Sequence, residues 1–322
     1  MDETSGPPPE VRLLLDERSA ARAAGNWKAA DALRDQIRAR GWEVSDPARG
    51  SAEPSTLRPL LPAAVADTGY VPPEMLESLL SSEPVMDASL HVVAEDHAAD
   101  LRRLLEGIAR HVADGGWEIL VVDNAATFDV SAHIPEALRS AVGLLTSRRR
   151  LGWADAVNLG MQRSRARLAI RVDCSVEPTG DFLAPLLATV DADQGIGLAG
   201  PWGLTSANGR QFEETQSGEV DAVQAYCLAV RREILRDIGL FDPHYTFHRN
   251  ADLDFSFAAR AAGWRAVQVD LPLQRHEHRR YAALATPERD RLSKRNFYRF
   301  LKRWGDRRDL LLRPSSEPPH HH

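Results

Sequence analysis

Two aspartates stand at positions where an alternating strand–helix chain can most readily do chemistry. Asp123 closes the apolar run EILVVD (118–123), and Asp173 closes LAIRVD (168–173). In open α/β sheets, ligands bind beyond the carboxyl ends of the strands. A carboxylate there can accept a hydrogen bond from a nucleobase or ribose, or hold a metal ion. Each residue taken alone also suits a turn, because Asp readily bonds the backbone of the loop that follows it. Asp252 and Asp254 form a second acidic pair in NADLDF. A helix beginning near Leu253 would make Asp252 a natural N-cap. His276 and His278 are two apart and would share one face of a strand. The run Arg148-Arg149-Arg150 offers positive charge or a solvated turn. The two cysteines, Cys174 and Cys227, are too few for a disulfide framework or a Cys-based zinc site.

The elements needed to position these groups are legible between 87 and 312. SLHVVA (89–94), EILVVD, GLLT (143–146), LAIRVD and AVQVD (266–270) are short runs rich in Val, Ile and Leu. Leu101, Leu104, Leu105, Ile108 and Val112 mark an amphipathic helix between the first two. Strands alternating with helices predict a largely parallel sheet covered on both faces. Before this region, Val11, Leu14 and Leu15 begin one helix. Gly25-Asn26 breaks it, Trp27, Ala30, Leu33 and Ile37 form a second, and Gly41 is the expected stop.

Seven of the 20 prolines fall in 47–86, which reads as a linker with a short helix around Glu74–Leu80. Residues 1–9 and 313–322 read as unstructured tails. The 322 residues carry a net charge of −6, which excludes a globally basic nucleic-acid binder. No run is long and apolar enough to cross a membrane, and the acidic N-terminus lacks signal-peptide features. A cytoplasmic protein is expected.

The stretch VVDNAATFD followed by LGWADAVNLGMQRSRARLAIRVDCS resembles family 2 glycosyltransferases of the GT-A fold. The resemblance continues through Arg231-Arg232, Gly239-Leu240-Phe241-Asp242, Asp252, Asp254, Gly263 and His276, and into the closing helix 294–305. It implies an α/β, Rossmann-like GT-A domain at 87–312. The function implied is an inverting hexosyltransferase that uses a nucleotide-diphosphate sugar and a divalent metal, Mn or Mg. By the same resemblance Asp123, Gly152 and Asp173 hold the donor, Asp173 and His276 bind the metal, and Asp252 takes the acceptor's proton. The acceptor stays open between carbohydrate and lipid-linked classes, and a homo-oligomer is admitted.

Several positions depart from the family pattern. Asp-x-Asp is reduced to Asp173-Cys174-Ser175, a Glu is replaced by Ala251, an Arg by Ala258, and the first strand ends Ala94-Glu95-Asp96-His97. These departures keep a second reading open, in which a degenerate GT-A domain binds a nucleotide, sugar or protein without turnover.

Residues 10–46 resemble the C-terminal helical segment of cysteinyl-tRNA synthetases, through Arg18 to Arg22, Trp27 to Asp31, Arg34-Asp35 and Gly41 to Asp46. Seven basic and seven acidic side chains give this segment no electropositive footprint. It is expected to serve packing or protein contact in preference to RNA binding, with Trp27, Leu33 and Ile37 buried against either the GT-A domain or a second chain. Residues 279–313, with twelve Lys/Arg against four Asp/Glu, carry Phe297, Phe300, Leu301 and Trp304 as a stripe. The stripe is expected to pack on the domain, with peripheral membrane contact as the alternative.

Overall fold

The computed structural model describes residues 9–39, 42–45, 55–59, 76–113, 115–216 and 218–313. The chain divides into two compact units, Met1–Met75 and Leu76–His322. In the first, α1 (Pro9–Ala23) and α2 (Trp27–Ala39) form a helical hairpin. Gly25 adopts φ +71 at the turn, a conformation glycine accepts without strain, and Asn26 Oδ1 accepts the Ala29 N–H at 3.2 Å. An antiparallel ribbon of β1 (Trp42–Ser45) and β2 (Thr56–Pro59) follows. Val11, Ile37 and Val44 form the core, with Leu14, Leu15 and Leu57 packed against it. Within the single chain Trp27 is 61% exposed. It lies at the first residue of α2, level with the turn, where α1 has already ended. Gly41 lies outside the described residues.

Two parts of the segment expected to be a linker are structured. β2 falls within it, and Leu76–Val85 belong to the second unit: the Leu79 N–H donates to the Gln162 carbonyl at 2.7 Å, and Leu80 is buried. Leu76–Leu79 are not helical, and Glu74 and Met75 lie outside the described residues. Of the expected tails, 1–8 and 314–322 lie outside them as well.

The second unit is built on an eight-stranded sheet. In chain order its elements are β3 (Met86–Ala94), α3 (Ala98–His111), β4 (Trp117–Asn124), β5 (Val142–Ser147), α4 (Trp153–Met161), β6 (Ala166–Val172), β7 (Val176–Pro178) and α5 (Leu183–Ala192). After these come β8 (Ile196–Gly200), β9 (Gly203–Thr205), β10 (Glu213–Thr215), β11 (Glu219–Val220), β12 (Ala222–Val223), β13 (Cys227–Arg231), α6 (Arg232–Asp237), α7 (Ala251–Ala261), β14 (Arg265–Gln268), β15 (Leu273–Arg275), α8 (Arg279–Ala283) and α9 (Thr286–Trp304). The strand order is β11-β14-β8-β13-β6-β3-β4-β5. β3, β4, β5 and β6 run parallel. β13 is inserted antiparallel between β6 and β8.

Alternation along the strands separates two cores. Leu90 and Val92 of β3 and Ile119 and Val121 of β4 meet Leu101, Leu104 and Ile108 of α3. On the other face Ala169, Leu228 and Val230 meet Trp153, Val157 and Met161 of α4 together with Phe241 and Phe255. The closing helix packs as the sequence predicts. Phe300 and Trp304 bury against Leu253 and Phe257, with Phe297 and Leu301 alongside.

Candidate active site

Because β3, β4 and β6 are parallel, Glu95, Asp123 and Asp173 emerge along one edge of the sheet. The order β6-β3-β4 sets Glu95 between the two aspartates. Asp123 is half-buried, and its Oδ1 accepts the Ala126 N–H at 2.9 Å. Ala125 between them takes φ 50, so this strand end is a tight loop. Asn124 is fully buried and ties that loop to the next one. Its Nδ2 donates to Glu95 Oε1 at 2.8 Å, and its Oδ1 accepts the Leu151 N–H at 2.7 Å. Gly152 follows at the N-cap of α4. A Cβ there would lie 3.2–3.3 Å from Thr246, so glycine lets this loop close against the segment that walls the cavity at Asp173.

Asp173 is the most heavily partnered group of the edge. Its Oδ1 accepts the Ser175 N–H at 2.9 Å and the Ser175 hydroxyl at 2.6 Å. Its Oδ2 accepts Arg171 Nη2 at 2.9 Å and lies 3.7 Å from His278 Nε2. Burial alone would raise its pKa. The charges of His278 and Arg171 and the Ser175 hydrogen bonds outweigh that and hold the carboxyl well below the usual range. Arg171 itself is 2% exposed and donates also to the Val172 carbonyl. Beside it His91 is buried and pushed down to about 3, first by burial and then by the Arg171 charge. The imidazole is therefore neutral and adds no second charge beside Arg171.

His276 and His278 do not share a face. The paired part of β15 ends at Arg275, and beyond it the two side chains separate. His276 Nε2 meets Glu177 Oε2 at 2.6 Å, while His278 turns to Asp173 and stacks on His248, with centroids 4.4 Å apart and planes at 12°. Burial, then His278, lowers the His248 pKa well below the ordinary value. Two small cavities of about 40 and 50 Å3 lie against Asp173, walled by Glu95, His278 and Arg280 in both cases. A larger one of about 640 Å3 lies at Ser206, Glu213 and Asp221 and includes none of the candidate residues.

The acidic pair of α7 divides. The helix begins at Ala251 with Asn250 (φ 66) at its N-cap, so Asp252 is not the cap but sits within the first turn. Asp254 is buried, accepting Trp304 Nε1 at 2.8 Å and Arg303 Nη1 at 2.9 Å. Asp252 is half-buried. It accepts the Leu253 N–H at 3.0 Å and the Ala225 N–H at 3.2 Å, and burial raises its pKa. The next residue, Tyr226, accepts the Asp173 N–H on its carbonyl at 2.8 Å. A single dipeptide thus connects Asp252 with Asp173. The roles of Glu95, Arg171, His248, His278 and Arg280 were not assigned from sequence. Three of them carry a signal in the sequence: Arg171 as a charge inside an apolar strand, Glu95 at the end of the first strand, and His278 through its spacing from His276.

The family model for glycosyl transferase family 2 matches residues 89–262. The chain belongs to this family. Its second unit is therefore a glycosyltransferase domain, and the fold described above is a GT-A fold. A crystal structure of GalNAc-T7 with UDP, GalNAc and Mn2+ is similar in fold. It is 16% identical, covers 69% of this chain and 48% of that one, and has a TM-score of 0.54. S. aureus TarS 1-349 in complex with UDP is 15% identical over 67% of this chain and 72% of that chain, with a TM-score of 0.48. The cysteinyl-tRNA ligase anticodon binding domain model matches residues 4–49. The cysteine–tRNA ligase of Chlamydia caviae is 46% identical over 43 residues, 13% of this chain and 9% of the ligase. The chain therefore spans less than a tenth of that relative and about half of GalNAc-T7. Among the described residues no helix is long and apolar enough to cross a membrane.

The donor set at Asp173 does not fit the divalent cation that the family resemblance implies. The expected partner His276 is engaged by Glu177. Ser175, where the second carboxylate would stand, donates to Asp173. Among the described residues no group of three or more His, Cys, Asp or Glu side chains is placed to hold a metal ion. Both Asp173 oxygens are occupied, one by a buried guanidinium, and a dication entering there meets that positive charge at short range.

Proposed function

We propose that the second unit transfers a hexosyl group from a nucleotide-diphosphate sugar to an acceptor hydroxyl, with inversion at the anomeric carbon. Asp123, Gly152 and Asp173 would hold the donor, and Asp252 would act as base. The observation carrying this reading is the division of the α7 acids. Asp254 is committed to Trp304 and Arg303, whereas Asp252 keeps only backbone donors and borders the dipeptide that leads to Asp173. In this reaction the acceptor oxygen attacks the anomeric carbon as its proton passes to Asp252. The bond to the diphosphate breaks, and the nucleoside diphosphate leaves with the electron pair.

Asp252→Asn keeps the size of the side chain and removes its basicity. We expect turnover to fall by ~10²–10⁴-fold with donor affinity nearly unchanged. Steady-state rates and donor titration on the same preparation check this, and near-normal turnover would remove Asp252 from the chemistry. The second reading, a binding domain without turnover, draws on the Ser175–Asp173 and Arg171–Asp173 contacts. Donor binding with neither transfer nor donor hydrolysis would establish it. The helical hairpin is assigned packing or protein contact, since its charges balance.

A further inference from the structure

Four of the carboxylates at the strand-end edge already have a guanidinium each, whereas Asp123 accepts the Ala126 N–H. Asp173 has Arg171 at 2.9 Å, and Asp96 has Arg150 at 2.5 and 2.7 Å. Asp100 has Arg103 at 3.0 Å, and Glu95 is paired with Arg280. Two-carboxylate cation sites work differently, because there the acids stay unpaired until the metal neutralises them together with the phosphates. Here the neutralising charge is covalently part of the chain. Arg171 can neither leave nor lose its proton, and the Ser175 hydroxyl has replaced an acceptor with a donor. On the side toward the cavities, His278 and Arg280 stand beside Asp173.

We propose that the donor's diphosphate is held by side chains of this protein, the Arg280 and Arg171 guanidinium groups and the His278 imidazole beside Asp173, without a divalent metal. The proposal rests on the nucleotide-sugar reading above. In an ordinary GT-A site with a metal, the dication links carboxylate to diphosphate. Here Arg171 cancels the carboxylate's charge so that the incoming phosphates are not repelled, and Arg280 moves from Glu95 to a phosphate oxygen. Guanidinium–phosphate pairs are charge-assisted and geometrically defined, which suits them to this role.

The experiment uses the full chain. UDP, GDP, ADP, CDP and dTDP are titrated by calorimetry in a chelator and again with Mn2+, and Mn2+ alone is titrated by electron paramagnetic resonance. We expect at least one nucleotide to bind with affinities agreeing within about twofold in the two buffers, and free Mn2+ to keep its full signal. Because Arg171 is buried and its loss endangers folding, the site is tested at Arg280→Gln and His278→Gln. The Arg280 variant should lose about tenfold or more in nucleotide affinity. Nucleotide binding that requires Mn2+, or Mn2+ bound by the free protein and released in Asp173→Asn, would overturn the proposal. So would unchanged affinity in both variants. Absence of nucleotide binding in every buffer is a different result, which would overturn the nucleotide-sugar reading and this inference with it.

Discussion

Replacing Arg171 by Met would leave the Asp173 carboxylate part-buried with Ser175 and His278 as its remaining partners. Breaking such a pair typically costs about 3–5 kcal/mol. Asp173→Asn in the same chain should recover part of that loss, and a double-mutant cycle by urea denaturation measures it. The carboxyl of Asp173 is depressed, so the folded state holds its proton less tightly than the unfolded chain does. Its contribution is therefore fully present above the ordinary Asp value of about 3.9 and is lost as pH falls from there through the depressed folded value. Wild type should accordingly lose more stability on acidification than Asp173→Asn. Asp252 has the opposite sign. As a base it must be ionised, so the acid limb of turnover should be shifted upward from the ordinary Asp value. The strand-end aspartates are legible because acids that close apolar runs stand out, whereas Asp252 is singled out only through the family resemblance. The partner of Asp173 is not legible. Whether His276 or His278 reaches it depends on where β15 stops pairing, and Arg171 discloses a buried charge without its direction.

The loops that carry these groups are set by close contacts between elements. Gly107 in α3 is one such contact, since a Cβ there would come within 2.7 Å of Pro178 Cδ and 3.0 Å of its carbonyl oxygen at β7. Gly107→Ala must push α3 away from β7. We expect about 1–3 kcal/mol of destabilisation, read as a lower urea midpoint with an unchanged slope. The five apolar runs each appear as strands, and the α3 stripe is buried where its spacing predicts, because both signals are local and periodic. β2, with four residues in a proline-rich stretch, and the two- and three-residue strands β9 to β12 have too few positions to show a period. Their existence depends on the partner strand, which local sequence does not contain.

At the scale of the molecule the break between compact units falls at Met75/Leu76, well after the helical hairpin that the sequence marks off. β1 pairs with β2, so a truncation after residue 46 would strip β2 of its partner and leave four edge residues unpaired. Deleting 1–75 removes the whole first unit, and the remaining 76–322 should fold and bind nucleotide as the full chain does. Circular dichroism melts and nucleotide titration on the truncated protein check this. Loss of binding in a folded truncation would bring the first unit into the site.

The antiparallel β13 between β6 and β8 has a consequence for the order of events during synthesis. β6 ends at Val172 and β13 starts at Cys227, so the ribosome must add about 55 residues before the centre of the sheet can close. At ~5–20 residues per second that interval is roughly 3–11 s. Throughout it the β3–β6 segment presents a long hydrophobic edge, the kind of template that recruits other chains. The nascent chain therefore passes through a timed window of exposure ending only when Cys227–Arg231 emerges. Slowing translation between 173 and 226 should lower soluble yield without altering the finished protein.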